Sequence, residues 1–205
     1  MNASRTSEWA AEHGSQPMTA ARQRIVDAAV QLFAERGVAG TSLKDIADAL
    51  GVTKAAVYHQ FKTKEEIVLA AVGGALQGIA VAVEQAQHEA TPDEAAAEVI
   101  AAVVALAVDR RQLIRTVQGD PELLRIIAKH HGLKALMELR DSILLRGRGT
   151  PEDRARVAFL AAAFGGAPAH PLVADIDAAT LNDLFGRIAR ELLGLTPAPA
   201  SEKGE

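Results

Sequence analysis

The sequence predicts an all-α protein, in which a three-helix N-terminal head with a helix-turn-helix precedes a larger helical domain. Aromatic residues make up only 3% of the 205 residues, alanine is abundant, and few segments alternate as β-strands do. Apolar residues instead recur at helical spacing along most of the chain. Helix-capping residues and glycines divide these periodic segments. Cysteine is absent, which excludes a disulfide scaffold and favours a reducing, cytoplasmic location.

The first predicted helix begins after Thr19, a good N-cap residue, and ends at Gly37. Arg22 and Arg24 near its start are candidates for phosphate contact, although a solvated helix face explains them equally well. The helix carries one apolar stripe, which is formed by Ile25, Ala28, Ala29, Leu32 and Phe33.

Two short helices follow and are joined by a tight turn. Ser42 caps the first, with Asp45 in its first turn, and Gly51 is suited to end it in the left-handed conformation. Thr53 caps the second, in which Val57 and Phe61 are spaced to point inward. The outer positions of that helix are polar or basic. This arrangement is typical of a DNA-binding helix-turn-helix.

The sequence from Gly51 to Glu66, GVTKAAVYHQFKTKEE, closely resembles the signature of TetR-type transcriptional repressors. The resemblance includes Tyr58 and the aromatic Phe61 close to the two lysines, and it extends from about Thr19 to Val72. Beyond that point only helical character and length are similar. Gln60 departs from the residues that the family often has at its position, so its role is left open.

The resemblance implies a homodimeric repressor that a small molecule releases from a palindromic operator. The second helix of the motif would lie in the major groove, with Lys54 and the small Ala55 at the bases. Lys62 and Lys64 would contact phosphates, and the entry to the preceding helix would anchor the flanking strand. The predicted DNA-binding residues are Thr41, Ser42, Lys44, Thr53, Lys54, Ala55, Tyr58, His59, Lys62 and Lys64.

The charge distribution and the absence of catalytic motifs help to distinguish a DNA-binding protein from an enzyme or an adaptor. The whole chain has a net charge of −4, but residues 18–72 carry seven basic and six acidic side chains, so the head is the more positive part. No catalytic motif occurs, and we predict neither an enzyme nor a cofactor. The alternative class is a helical adaptor or a membrane-associated interaction protein, which would not explain the basic residues of the motif.

A long helix is predicted from Thr63, which with Glu66 fits a capping box. Its apolar run is shorter than the about 20 residues of a membrane span and contains glycines, so we predict a buried connecting helix and no membrane partner. The adjacent Gly73 and Gly74 form a possible bend point. The helix would transmit a ligand signal to the head.

Further helices are predicted from Pro92 and from Asp120 to about Leu145. In the latter, His130, Met137 and Arg140 lie on or near the apolar stripe and are candidate ligand-binding residues. A structural role explains His130 and Arg140 as well, the arginine pairing with a carboxylate such as Glu98. His130 and the adjacent His131 point about 100° apart on a helix, which argues against a metal site. The apolar composition favours a hydrophobic or amphipathic effector.

The last two helices, predicted from Pro151 and from about Ala178, are rich in apolar residues. Two such helices suit a two-fold four-helix interface, although a monomer with an internal core is the simpler alternative. The predicted interface residues are Leu160, Phe164, Leu181, Leu184, Phe185, Ile188 and Leu192.

The predicted organisation is a disordered N-terminal tail over residues 1–17, a helix-turn-helix domain over 18–64, a ligand-binding and dimerisation domain over 65–195, and a disordered C-terminal tail over 196–205.

Overall fold

The computed structural model describes residues 18–88 and 91–195, and within these ranges the chain is helical and contains no strand. The predicted tails at residues 1–17 and 196–205 lie outside the described residues. The α-helices are α1 (Ala20–Arg36), α2 (Leu43–Leu50), α3 (Lys54–Gln60), α4 (Lys64–Gln85), α5 (Pro92–Asp109), α6 (Arg111–Gly119), α7 (Pro121–Lys129), α8 (His131–Leu145), α9 (Pro151–Gly166) and α10 (Ala178–Leu193). The predicted all-α class is confirmed.

The helix starts and stops in the head follow the capping chemistry of the sequence. The side chains of Thr19, Ser42 and Thr53 each accept a hydrogen bond from a backbone N–H in the first turn of the helix that follows. Gly51 ends α2 at φ 67° and ψ 30°, a left-handed conformation that glycine adopts without a Cβ clash. The turn geometry of the motif is thus set locally.

The three helices of the head pack around one apolar centre. Ile46, Val57 and Phe61 are fully buried, and Ile25 and Phe33 of α1 are 5% and 4% exposed. Phe61 lies just after the last residue of α3, so its ring closes the centre while the helix itself ends. The inward positions predicted from helical spacing are confirmed.

Helix α4 connects the head to the rest of the protein. It contacts α1 on one side and α5, α7 and α8 on the other. By length and composition the segment Lys64–His88 could cross a membrane, and half of its most apolar window is buried inside the protein. The buried residues form a continuous core from Ile25 to Leu195, so the head and the second part share one interior.

Helix α4 starts as predicted at Thr63, but only half of the expected capping box forms. Thr63 Oγ1 accepts a hydrogen bond from the Glu66 N–H at 3.1 Å. The Glu66 carboxylate bonds the N–H of Lys62 at 2.8 Å instead of that of Thr63. The carboxylate thereby ties the chain between α3 and α4. Gly73 and Gly74 lie within the continuous helix α4.

The predicted single helix from Asp120 to Leu145 is wrong, because the structure divides it into α7 and α8 at His130. The backbone of His130 is extended, with φ −85° and ψ 106°, and its Nδ1 accepts a hydrogen bond from the N–H of Leu133. The imidazole therefore caps α8 in the way a serine or aspartate would. Helix α6 was not predicted. It is amphipathic, and none of its residues is buried.

Candidate nucleic-acid interface and apolar cavity

One side of helix α3 packs against the rest of the head, and the other side is exposed to solvent. Val57 is its one buried residue, whereas Lys54, Ala55 and His59 are exposed and Tyr58 is 50% exposed. In the part of the chain that the structure describes, the side chain of Lys54 has no hydrogen bond or ion pair. A short helix that presents small, basic and hydrogen-bonding side chains to solvent suits insertion into a major groove.

Arg22 of α1 fixes the C-terminal end of this exposed helix, a role that the sequence analysis did not identify. Its Nη1 donates a hydrogen bond to the carbonyl oxygen of Gln60 at 2.7 Å, and its guanidinium lies 4.1 Å from the centre of the Phe61 ring. A cation at the C-terminal end also complements the helix dipole. The only signal in the sequence is the position of an arginine near the start of α1.

Lys62 is also preorganised beside α3. Its Nζ donates a hydrogen bond to the Tyr58 carbonyl oxygen at 2.9 Å and lies 4.6 Å from the centre of the Tyr58 ring. His59 contacts the Gln60 amide at 3.4 Å. The side chain of Thr53 is engaged as the N-cap of α3.

The structure brings residues from α2, α3 and the start of α4 onto one concave surface. This groove has a volume of about 480 Å³. Six of the ten predicted DNA-binding residues line it: Thr41, Ser42, Lys44, Lys54, Tyr58 and Lys64. Lys44 pairs with Asp48 at 2.6 Å, and this contact raises the pKa of the exposed lysine.

Two of the predicted DNA-binding residues are engaged inside the protein. Thr41 is only 2% exposed, and its hydroxyl donates a hydrogen bond to the Gly37 carbonyl oxygen at 2.8 Å. Lys64 donates through Nζ to the carbonyl oxygen of Val38 at 2.6 Å. Both side chains satisfy buried or partly buried carbonyl groups of the α1–α2 turn, so they stabilise the head instead of extending from it.

Ser42 also differs from its predicted role. Its hydroxyl donates to Asp45 Oδ2 at 2.6 Å, and its N–H donates to the same oxygen at 2.8 Å. These bonds from Ser42 lower the pKa of the Asp45 carboxyl. The N–H groups of Ser42 and Asp45 are thereby engaged within the capping box of α2.

A large apolar cavity lies in the second part of the protein, between α4, α5, α6, α7 and α8. Its volume is about 590 Å³. Gln118 and Lys134 are the only polar side chains in its wall. The apolar lining residues are Val72, Ala75, Leu76, Leu106, Leu113, Ile114, Val117, Leu124, Ile127, Ala128, Leu133 and Met137.

Of the predicted ligand-binding residues, only Met137 lines this cavity. His130 caps α8, and the Arg140 guanidinium pairs with Asp141 Oδ1 at 2.7 Å and contacts Met137 Sδ at 3.1 Å. Arg140 thus pairs with a carboxylate, as the structural alternative expected, but the partner is Asp141 of the same helix and not the suggested Glu98. Sequence periodicity missed Gln118 and Lys134, since a polar residue at the edge of an apolar stripe looks like a solvent-facing one.

The predicted interface residues on α9 and α10 fall on two different faces. Leu160 and Leu181 are 4% and 0% exposed and pack in the interior, so their assignment to a dimer surface is wrong. Phe164, Leu184, Phe185 and Leu192 are half-buried, and Ile188 is 54% exposed. Phe159, which was not predicted, is 67% exposed. The outward apolar face of these helices is defined by Phe159, Leu184 and Ile188.

A solvent-facing helix on a three-helix head, joined to a helical domain with an apolar cavity, defines the class of helix-turn-helix proteins. Residues 25–71 match the sequence model described as bacterial regulatory proteins, tetR family. Over this segment, which runs from α1 into α4, the chain is similar to the TetR family.

Named relatives share the head. The transcriptional repressor KstR2 of Rhodococcus jostii is 47% identical over 47 residues, and the regulator AcrR of Shigella flexneri is 50% identical over 46 residues. These alignments cover 23% and 22% of this chain, and only 23% and 21% of the relatives' own length. The sequence similarity to these relatives thus covers less than a quarter of either chain.

Solved structures extend the similarity of fold to the second part. The TetR family regulator PfmR from Thermus thermophilus has a TM-score of 0.59 and 28% identity, over 85% of this chain and all of that one. These relatives are named as transcriptional regulators, which agrees with the prediction that the chain is not an enzyme.

Proposed function

We propose that the protein is a sequence-specific DNA-binding transcriptional regulator, a homodimeric repressor that a small molecule releases from a palindromic operator. The observation that carries this proposal is the exposure of α3, whose outer face is free while Val57 and Arg22 fix its inner face and its end. The match of residues 25–71 to the tetR family of bacterial regulatory proteins supports the same function. The alternative of an adaptor without DNA binding leaves this preorganised face without a role.

In the proposed complex, α3 enters the major groove. Lys54 and Tyr58 would reach base edges or phosphates, and the small side chain of Ala55 would permit close approach and contact with a thymine methyl group. His59 and Lys62 would contact the flanking backbone. Lys44 would exchange its pairing with Asp48 for a phosphate, since an exposed ion pair of this kind contributes little stability.

The proposed effector is a hydrophobic or amphipathic molecule that occupies the 590 Å³ cavity. Such a volume lies in the range of small-molecule sites, and an apolar wall with a few polar groups is their usual composition. Gln118 could donate to or accept from one polar group of the ligand. Lys134 lies beside the cavity with its ammonium 3.7 Å from Glu138, and it could pair with an acidic end of the ligand. Met137 would contact its apolar body.

The proposed dimer forms through the outward face of α9 and α10. Phe159 and Ile188 are large apolar side chains that are more than half exposed on adjacent helices. Association of two such faces around a two-fold axis would build a four-helix interface and bury both side chains. The dimer would place two α3 helices in successive major grooves, about one helical turn or somewhat more apart.

Selection of bound sequences from a random duplex pool tests the proposal. We expect recovery of a palindrome whose half-sites are separated by about one helical turn or more. Recovery of an asymmetric site would argue against the dimer while retaining DNA recognition. Failure to enrich any sequence at low salt, where phosphate contacts are strongest, would leave the adaptor alternative as the better assignment.

A further inference from the structure

Asp120 connects the head to the helices that line the apolar cavity. It lies between α6 and α7, and its two carboxylate oxygens have different partners. Oδ1 accepts hydrogen bonds from the N–H groups of Glu122 at 2.9 Å and Leu123 at 3.2 Å, which caps α7. Oδ2 accepts a hydrogen bond from the N–H of Val38 at 2.6 Å, across a sequence separation of 82 residues.

The contact with Val38 is close and enclosed. Val38 belongs to the turn between α1 and α2 and is 1% exposed. Its carbonyl oxygen accepts the hydrogen bond from Lys64 Nζ, so charged side chains hold both polar groups of this residue. The neighbouring Gly37 has φ 71°, and a Cβ there would lie 3.1 Å from Asp120 Oδ2. The glycine allows the carboxylate to approach the backbone.

Residues that precede Asp120 in the sequence and residues that follow it line the apolar cavity. Val117 and Gln118 of α6 precede the aspartate and line the cavity, and Leu124 of α7 follows it and lines the same cavity. Helix α6 contacts α1, α5, α7 and α9, but none of its residues is fully buried, so part of its apolar face is available to pack on a ligand. A molecule that fills the cavity therefore contacts both helices between which Asp120 is held.

We propose that Asp120 is the positioning residue that couples occupancy of the cavity to the DNA-binding geometry of the head. This inference rests on the proposed function, because it requires both DNA binding and a ligand in the cavity. When a ligand shifts α6 against α7, Oδ2 moves beyond hydrogen-bonding distance, about 3.5 Å, from the Val38 nitrogen. The buried N–H then needs a new partner, and the α1–α2 turn moves with α2.

Two substitutions separate the coupling bond from the capping bond. In Asp120→Asn, one oxygen still caps α7, but the NH₂ group that replaces Oδ2 cannot accept from the Val38 N–H. Asp120→Ser also supplies an N-cap oxygen, and its side chain is too short to reach Val38. The matched control is Asp177→Asn, because Asp177 caps α10 through hydrogen bonds from Thr180 in the first turn of the same helix.

The experiment measures the linkage between duplex binding and cavity occupancy in the full-length chain. The cavity probe is the amphipathic dye 1-anilinonaphthalene-8-sulfonate, and the duplex is the sequence recovered by the selection. An Ala128→Trp variant, in which the indole fills part of the cavity, identifies the dye signal that arises there. In the wild-type protein, we expect the dye to weaken duplex binding by about 5- to 150-fold.

In Asp120→Asn and Asp120→Ser, we expect the linkage factor to fall towards one while dye affinity stays near that of Asp177→Asn. The melting temperature should fall in both Asp120 variants, because the buried Val38 N–H loses its acceptor. Hydrogen exchange of the Val38 amide should accelerate in both Asp120 variants and, on addition of dye, in the wild-type protein. A variant with wild-type linkage, or a wild-type Val38 amide that the dye does not affect, would overturn the inference and leave DNA binding intact. Absence of duplex binding by the wild-type protein would instead refute the proposed function, and the inference with it.

Discussion

At the scale of single residues, the head contains side chains that are exposed for contact and side chains that position them. Lys54 is the clearest case of the first kind, because it is exposed on α3 and has no partner among residues 18–88 and 91–195. Arg22 is the clearest case of the second, since it binds the last carbonyl group of α3. Replacement of Lys54 should therefore weaken DNA binding, whereas replacement of Arg22 should lower the stability of the protein.

Replacement of Lys54 by alanine should weaken binding to the selected operator by about 1–3 kcal/mol, because a side chain near base edges contributes to discrimination as well as affinity. The measurement is a duplex titration at fixed salt against the selected and a scrambled sequence. Lys129→Ala, which removes an equal charge from exposed α7, is the control and should bind as the wild type does. Equal affinity of Lys54→Ala for the selected duplex would remove this residue from the interface.

Replacement of Arg22 by alanine should lower the free energy of unfolding by about 1–3 kcal/mol, because a charge-assisted hydrogen bond and the contact with the Phe61 ring are lost together. Urea unfolding followed by circular dichroism, at one protein concentration, gives the value. Arg24→Ala lies two residues away on the exposed side of α1 and should change stability by less than about 0.5 kcal/mol. If Arg22→Ala and Arg24→Ala have the same free energy of unfolding, the contacts of Arg22 make no specific contribution to stability.

At the scale of elements, the glycines of α2 and α4 have opposite effects on their helices. Gly51 ends α2 in a left-handed conformation, whereas Gly74 occupies an ordinary position inside α4. An added Cβ meets no atom within 4 Å at either position. The backbone conformation alone therefore determines what an alanine does at each site.

Gly51→Ala should destabilise the protein by about 1–2 kcal/mol, the penalty for an L-residue in the left-handed region. Gly74→Ala should stabilise it by about 0.5–1 kcal/mol, because alanine loses less conformational entropy in a helix. Thermal unfolding of the two variants beside the wild type tests both signs. A destabilising Gly74→Ala would show that α4 needs a bend there, as the predicted transmission role requires.

At the scale of the whole molecule, the distance between the two recognition helices depends on the proposed dimer. Each protomer has one α3, and the outward face with Phe159 and Ile188 is the large exposed apolar surface on α9 and α10. A stable interface buries about 1,200–2,000 Å² in total, which these two helices can supply in a four-helix arrangement.

A charge in this face should separate the protomers. Phe159→Asp and Ile188→Asp should each shift the protein towards monomer in sedimentation velocity, because association would bury an unpaired carboxylate. Operator affinity should fall as the dimer dissociates, because the two DNA-binding heads are no longer linked and each binds its half-site separately. Val81→Asp, a matched substitution at a 40% exposed valine on α4, should remain dimeric. If Phe159→Asp and Ile188→Asp both remain dimeric, the dimer interface lies on another surface.

Much of the head was predictable because its determinants are local. The N-caps at Thr19, Ser42, Thr53 and Thr63 and the left-handed Gly51 all occur where capping chemistry places them. Local signals were weaker in the second part. A histidine is an uncommon N-cap, so the break at His130 inside an apolar stripe was not predicted.

The sequence by itself determined the helical class, the turn geometry of the motif and the family of the head, because backbone capping and 3.6-residue periodicity act between near neighbours. Only the tertiary structure decided which polar groups remain exposed. Thr41 and Lys64 are bound to carbonyl groups of the α1–α2 turn, and Lys54 is not.

The tertiary structure also decides what each apolar side chain contacts. Periodicity identifies an apolar stripe on a helix, but it does not say whether a neighbouring helix, a second protomer or a ligand covers that stripe. Leu160 and Leu181 pack inside the protomer, Phe159 and Ile188 face outward, and α6 lines the cavity. The hydrogen bond between Asp120 and Val38 spans 82 residues, so it depends on how the helices pack and not on any local pattern.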